Sequence, residues 1–299
     1  MASIKDLKKR IGSVKNTQQT TKAMKMVSAA KLRRAQEAIT NNRPYAKQVG
    51  SLVTQMLSAP EVTLTSPLLD RSGESTAEGK RLLLLVVTSD RGLCAGFNAT
   101  ITKLSARFLN SDGKKYASVT FGFLGKRGYD FFKTKNGFIV GRYFEEFGGK
   151  VSFKKANDLS NALCKSFESG EFDEVKIVYN EFKNAVLQIP TIEDFLPLRP
   201  KAAAADGSSG NVIVKPSANE VLESLLSKHF AIQIFRVMLE SQAGEHGARM
   251  SAMENATKNA GEMIKKLTLQ YNKQRQAGIT KELLEIISGS ESSKSQAAS

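Results

Sequence analysis

Residues 250–271 read Met250-Ser-Ala-Met253-Glu-Asn-Ala-Thr257-Lys-Asn-Ala260-Gly-Glu-Met-Ile264-Lys-Lys-Leu267-Thr-Leu-Gln-Tyr271. Met250, Met253, Thr257, Ala260, Ile264, Leu267 and Tyr271 step by three and four without a break. That is the seam of a coiled coil held for three heptads, so the stretch predicts a long helix that pairs with another. Upstream the helix reaches Ser217-Ala-Asn-Glu220, a capping-box spacing just before Val221 and Leu222, and no proline follows Pro216. Gly244, Gly247 and Gly261 lie within it. Glycine costs about 1 kcal/mol in a helix interior, so these three imply close approach of another backbone or a compliant stretch. Ser288 to Ser299 is rich in serine and poor in apolar residues, which predicts a frayed tail.

The partner helix stands at the other end of the chain. Ile4, Leu7, Ile11 and Val14 open the same stepping, which lands next on Gln18, Thr21, Lys25 and Ser28, then on Leu32, Ala35 and Ile39. This seam has a polar middle. Pro44 predicts a kink or a break, beyond which Val49, Leu52, Val53 and Met56 resume the stripe. At ~1.5 Å per residue, Ser3 to Leu57 spans roughly 80 Å and Ser217 to Ile287 roughly 105 Å. If Leu57 and Ser217 lie level, the helices run antiparallel and position i sits beside about 274 minus i. Met24 then falls near Arg249 and Met250, and residues beyond about Tyr271 outreach their partner.

Between the helices the pattern changes. Arg81-Leu-Leu-Leu-Leu-Val-Val-Thr88 is a continuous apolar run suited to a strand buried on both faces. Further strands are expected at Tyr116–Phe123, Gly137–Phe144, Glu174–Phe182 and Ala185–Ile192. Helices are expected at Asn98–Leu109, Lys126–Lys133 and Lys155–Glu168. Strands alternating with helices predict an open, largely parallel sheet. The whole reads as an α/β domain inserted between two long helices that form an antiparallel coiled coil. The expected divisions are an N-terminal helix (1–60), the α/β domain (61–210), a C-terminal helix (211–288) and a disordered tail (289–299). The stretch 201–211 reads as a flexible loop.

Composition narrows the function. The 299 residues are 41% hydrophobic and carry a net charge of +15, enough apolar content for a real core and an excess that implies an anionic partner. The run Leu82–Val87 is far short of the roughly 20 residues of a membrane span, and no secretory or transit leader is expected from the basic start. Cys94 and Cys164 read as reduced thiols of an intracellular protein. Through Arg34 there are seven Lys and three Arg against Asp6 alone, a net +9. Such a run is a solvated helix face, a nucleic-acid surface or a seat for acidic protein loops.

No catalytic constellation is legible. Ser89-Asp-Arg-Gly-Leu-Cys-Ala-Gly-Phe-Asn98 joins a strand to a helix, a place where backbone N–H groups can hold phosphate. Yet it lacks the Gly-Lys-Ser/Thr ending of a P-loop and the three-glycine dinucleotide spacing, so a tight turn with Cys94 packed inside is the favoured reading. His229 and His246 have no ligand-spaced neighbours and read as packed or surface residues. The expectation is no catalytic residue, no metal and no cofactor.

Four separated stretches, in order, resemble one family. Met24-Lys-Met-Val-Ser-Ala-Ala-Lys-Leu-Arg-Arg-Ala-Gln36 is similar to the N-terminal signature of the gamma subunit of F-type ATP synthase, and the Ser89–Cys94 loop is similar too, although Ala95 stands where that family often has glycine. Glu245-His-Gly-Ala-Arg-Met-Ser-Ala-Met253 with Asn255-Ala-Thr257, and Leu269 to Leu284, resemble its C-terminal patterns. The resemblance implies a Rossmann-like domain at the foot of a rotor shaft. It implies a non-catalytic subunit that couples ion flow to ATP synthesis or hydrolysis by turning inside a ring of alpha and beta subunits. The epsilon subunit and the membrane c-ring are the implied partners at the foot. The implied place is peripheral, on the cytoplasmic face of a bacterial inner membrane, with the mitochondrial matrix side as the alternative. It implies contact surfaces at Met24, Arg33, Arg34, Arg249 and Met250, and at Arg275, Gln276, Thr280, Glu282 and Glu285. From pattern alone that last group reads as solvated surface. A nucleic-acid-binding basic coiled coil would explain the charge but not the central domain. A nucleotide-binding enzyme would explain the domain but not the missing phosphate loop.

Overall fold

The computed structural model describes residues 3–57, 66–69, 79–135, 137–144, 151–199 and 218–297. Helix α1 covers Ile4–Leu57; then follow β1 (Arg81–Val87), α2 (Phe97–Asn110), a 3-10 turn at Asp112–Lys115, β2 (Ser118–Leu124), α3 (Lys126–Lys133) and β3 (Ile139–Phe144). Helix α4 (Phe153–Glu168), β4 (Glu174–Phe182), β5 (Gln188–Leu196) and α5 (Ala218–Ala297) complete the order. Two compact units result: Ser28–Met250, and the two helix ends, up to Val27 and from Ser251 onward.

The larger unit is built on a sheet in the order β3-β2-β1-β4-β5, parallel except for β5. The apolar run of β1 explains its central place. Leu82, Leu84 and Val86 face one core, with Phe121, Phe123, Ile101 and Phe132 of β2, α2 and α3. Leu83, Leu85 and Val87 face the other, with α4, Leu32, Ala35 and Ile39 of α1 and Leu226, Phe230 and Val237 of α5. All six β1 residues from Leu82 to Val87 are 0–2% exposed, and at roughly 25 cal/mol per Å² this double burial is the main stabilising force of the domain. The expected strands and helices are present with their ends moved by a few residues. The largest shift is β5, which starts at Gln188 because the Asn184 side chain accepts from the Val186 and Leu187 amides and shapes a turn there.

Several expectations are corrected. Helix α1 runs through Pro44 without a break, and the proline is exposed. Helix α5 continues to Ala297, past the Ser288 where a tail was expected, because Ser, Lys, Gln and Ala all tolerate helix. The expected domain boundaries at 61 and 210 lie outside the described residues. Ser217 and the stretch 201–211 lie outside the described residues.

In the unit made of the helix ends the polar seam is observed. Thr21 Oγ1 and Thr257 Oγ1 meet at 2.8 Å, Gln18 Nε2 donates to the Thr257 carbonyl at 3.4 Å, and Lys25 pairs with Glu254 at 2.6 Å. These partners shift the expected register by about four residues, one helical turn. Pairing also runs farther than Tyr271: a Cβ on Gly278 would lie 3.6 Å from Ile4 Cδ1. The helix ends share the Leu7, Met253 and Ala260 seam, all buried.

Candidate partner-binding surface

The Ser89–Asn98 loop is filled from inside. Ser89 N and Oγ bond the Asn98 carboxamide at 2.9 and 3.0 Å, Ser89 Oγ donates to the Arg91 carbonyl at 2.7 Å, and Asn98 Nδ2 donates to Cys94 Sγ at 3.3 Å. Cys94 is 2% exposed and packs with Phe97 and Ala248. Arg249 of α5 closes the loop, donating to the Arg91 carbonyl at 3.3 Å and to the Gly92 carbonyl at 3.2 Å. The loop therefore turns acceptors toward a cation, the reverse of a phosphate cradle, as the tight-turn reading expects.

Arg249 is itself a buried hub. It forms an ion pair with Glu245 at 2.7 Å, one helical turn away, with both side chains nearly enclosed. Its Nη1 lies 3.4 Å from His246 Nδ1. A guanidinium only donates, so that ring nitrogen is the acceptor and His246 is neutral. Burial, then Arg249 and Lys31, push the His246 pKa down to about 4, while burial raises Glu245 against the pull of Arg249. His229 is buried too, its pKa lowered by burial and by Arg236. Both histidines are packed. Among the described residues no three His, Cys, Asp or Glu side chains cluster as a metal site.

Of the three glycines expected to mark close approach of another backbone, only Gly247 does so; Gly244 and Gly261 meet side chains. A Cβ on Gly247 would lie 2.8 Å from the Ala185 carbonyl oxygen, and one on Gly244 3.0 Å from the Phe97 ring. The turn before β5 therefore lies directly on the helix backbone. Arg236 adds a second tie, donating to Glu193 of β5 at 2.6 and 2.7 Å and to Tyr179 of β4 at 3.0 Å.

The expected contact residues separate into classes. Arg33 and Arg34 are exposed, Arg33 bonding Glu37 at 3.1 Å. Met24 is half-buried on the helix-end unit. Met250 packs against the core of the larger unit, and Arg249 is committed inside it, so neither is displayed as a free surface group. Arg275, Gln276, Thr280, Glu282 and Glu285 are all exposed on α5, Glu285 pairing with Lys281 at 3.6 Å.

Sequence reasoning missed the outward apolar residues of the helix ends. Met26 and Val27 are 60% and 56% exposed amid the basic run. Leu269, Ile279, Leu283, Leu284, Ile286 and Ile287 are each at least half exposed on α5. Their signal was present in the sequence: they lie off the seven-position stripe, on a helix whose only expected partner was that stripe.

A family model described as ATP synthase matches residues 3–292. The ATP synthase gamma chain of Geotalea uraniireducens is 46% identical over 294 residues, covering 98% of this chain and all of the relative. That of Bdellovibrio bacteriovorus is 44% identical over 301 residues, with the same coverage. The fold is similar to a chain of the rotor of the Euglena gracilis mitochondrial ATP synthase (TM-score 0.59, 18% identity, 92% of this chain and 98% of that one). It is also similar to one of the Tetrahymena thermophila central stalk and c-ring (TM-score 0.59, 24% identity, 79% and 99%).

Proposed function

The chain belongs to the ATP synthase gamma-chain family, and we propose that it is the central rotor shaft of an F-type ATP synthase, a non-catalytic subunit that couples ion flow to chemistry by turning. The observation that carries this reading is the paired helix ends, whose seam is filled from within while large apolar side chains face outward. A helix pair with that exterior gains by being enclosed, and a ring of alpha and beta subunits is the enclosure the family provides. Basic residues on the same helix suit acidic loops of such a ring.

The foot of the shaft is the α/β domain. Arg249 and Arg236 tie α5 to the sheet through charge-assisted hydrogen bonds, so rotation of the domain is passed to the helix through fixed contacts as well as through the apolar core. The epsilon subunit and the c-ring are the partners this reading assigns to the domain. No described helix is long and apolar enough to cross a membrane. We place the chain as a peripheral subunit on the cytoplasmic face of a bacterial inner membrane. Affinity capture of the tagged chain from its native membranes tests the reading: alpha and beta subunits co-elute in a ring-sized complex. Recovery of the chain alone, or with nucleic acid, contradicts it.

A further inference from the structure

The seam between the helix ends is of two kinds. On α1 the apolar steps Leu7, Ile11 and Val14 give way to Gln18 and Thr21. On α5 the apolar steps Leu267 and Ile264 give way to Ala260, Gly261 and Thr257, with Met253 buried beyond them. At the polar step Thr21 Oγ1 meets Thr257 Oγ1 at 2.8 Å, and Gln18 Nε2 reaches the Thr257 carbonyl at 3.4 Å. Beside it Lys25 pairs with Glu254.

The polar step loses little when the helices part. Thr257 Oγ1 donates to the Met253 carbonyl of its own helix at 2.7 Å, and Thr21 Oγ1 can donate to the Gln18 carbonyl of its own at 3.0 Å. Neither hydroxyl is therefore stranded by separation, and water can take the place of the cross-helix bond. The Lys25 and Glu254 side chains are 37% and 58% exposed, so both charges are already hydrated and their pairing adds little. Gly261 permits close approach, since a Cβ there would lie 3.0 Å from Gln18 Nε2, but it leaves α5 less stiff at that level. Hydroxyls bonded back to the preceding turn also favour bending. The apolar steps have no such substitute. Leu7, Ile11, Val14, Ile264 and Leu267 are buried or half-buried, and parting would hand their surface to water with nothing gained in return.

We propose that this polar step is a soft joint built into the helix pair, where α1 and α5 part and hydrate more readily than at the apolar steps. Under the rotor reading the joint is where the shaft yields to load; the joint itself does not rest on that reading.

Amide hydrogen exchange of the isolated full chain tests it. A helix segment without its partner is marginal in water, so amides exchange where the pair opens. Fraying alone would make protection fall steadily from residue 25 toward the start of α1. The joint reverses that order: amides 18–22 are about tenfold less protected than amides 11–15, which lie closer to the helix end, with a matching dip at 257–261 of α5. Thr21→Val with Thr257→Val keeps the shape of both side chains, removes the hydroxyls and abolishes the dip. Thr21→Ser with Thr257→Ser keeps the hydroxyls and retains it. Protection that falls steadily toward the start of α1 in the parent chain overturns the proposal, and so does a dip that survives the valine pair.

Discussion

Leu93 and Ala95 hold φ values of 63° and 48° in the loop after β1. A side chain in that left-handed region costs about 1–2 kcal/mol, a cost glycine avoids. Ala95 is exposed, and only its own Cβ opposes the conformation. Ala95→Gly should raise stability by up to about 1 kcal/mol, reduced by the extra freedom glycine has in the unfolded chain. An unchanged denaturation midpoint would count against that strain. His246 gives a pH dependence. Its folded pKa of about 4 lies below the ordinary value of about 6.5, so the folded state binds fewer protons than the unfolded one. The contribution is complete above about pH 6.5 and is lost as pH falls toward 4, on the order of 3 kcal/mol. His246→Asn keeps an acceptor for Arg249 but does not titrate, so its stability should fall less between pH 6.5 and 4; parallel curves would contradict the assignment. At this scale the sequence was partly legible. Cys94 read correctly as a packed thiol, since nothing around it had ligand spacing. Arg249 did not read as buried, because charged residues seldom are; Glu245 one turn before it was the available clue.

The elements were more legible, because periodicity is a property of many residues together. The β1 run and both helix stripes needed no tertiary knowledge to find. Ends and registers did need it. The offset of one turn between the expected and observed helix pairing arises because Leu57 and Ser217 were assumed level, a fact no local pattern contains. Pro44 and the serine-rich end were read as breakers, whereas one lost bond in a helix of 54 residues is easily outweighed. The glycines of the two long helices separate these effects. At Gly247 a Cβ would press on backbone, Ala185 O at 2.8 Å, while at Gly12 nothing lies within 4 Å. Gly12→Ala should therefore stabilise the chain by up to about 1 kcal/mol through helix propensity alone. Gly247→Ala gains the same propensity but should be net destabilising by about 1–3 kcal/mol through overpacking. Thermal melts of the two variants that move in the same direction would refute the close approach.

For the whole molecule, charge and length pointed to a partnered, elongated pair of helices, and the resemblance of four motifs supplied the family. What could not be read was which surface the partners cover. Exposure of Ile279, Leu283, Leu284, Ile286 and Ile287 agrees with the expectation that the C-terminal helix outreaches its partner, although the pairing with α1 reaches Gly278 rather than ending near Tyr271. Arg275, Gln276 and Glu282 lie along this stretch and are exposed. Under the rotor reading they form charge-assisted bonds with the ring, worth about 1.5–3 kcal/mol each. Replacing all three with Ala should slow ATP turnover of the assembled complex by about tenfold and weaken assembly, while the circular dichroism of the isolated chain stays the same, since exposed helix positions accept Ala. A variant complex that assembles and turns over like the parent would place the contact elsewhere. The central claim, that this chain turns within a catalytic ring, is tested most directly by watching it turn. Alpha and beta subunits are assembled with the chain and fixed to a surface, and a visible probe is attached at exposed Lys114 of the α/β domain. With ATP the probe should rotate in one direction, in step with hydrolysis; a stationary probe on a complex that continues to hydrolyse ATP would contradict the claim.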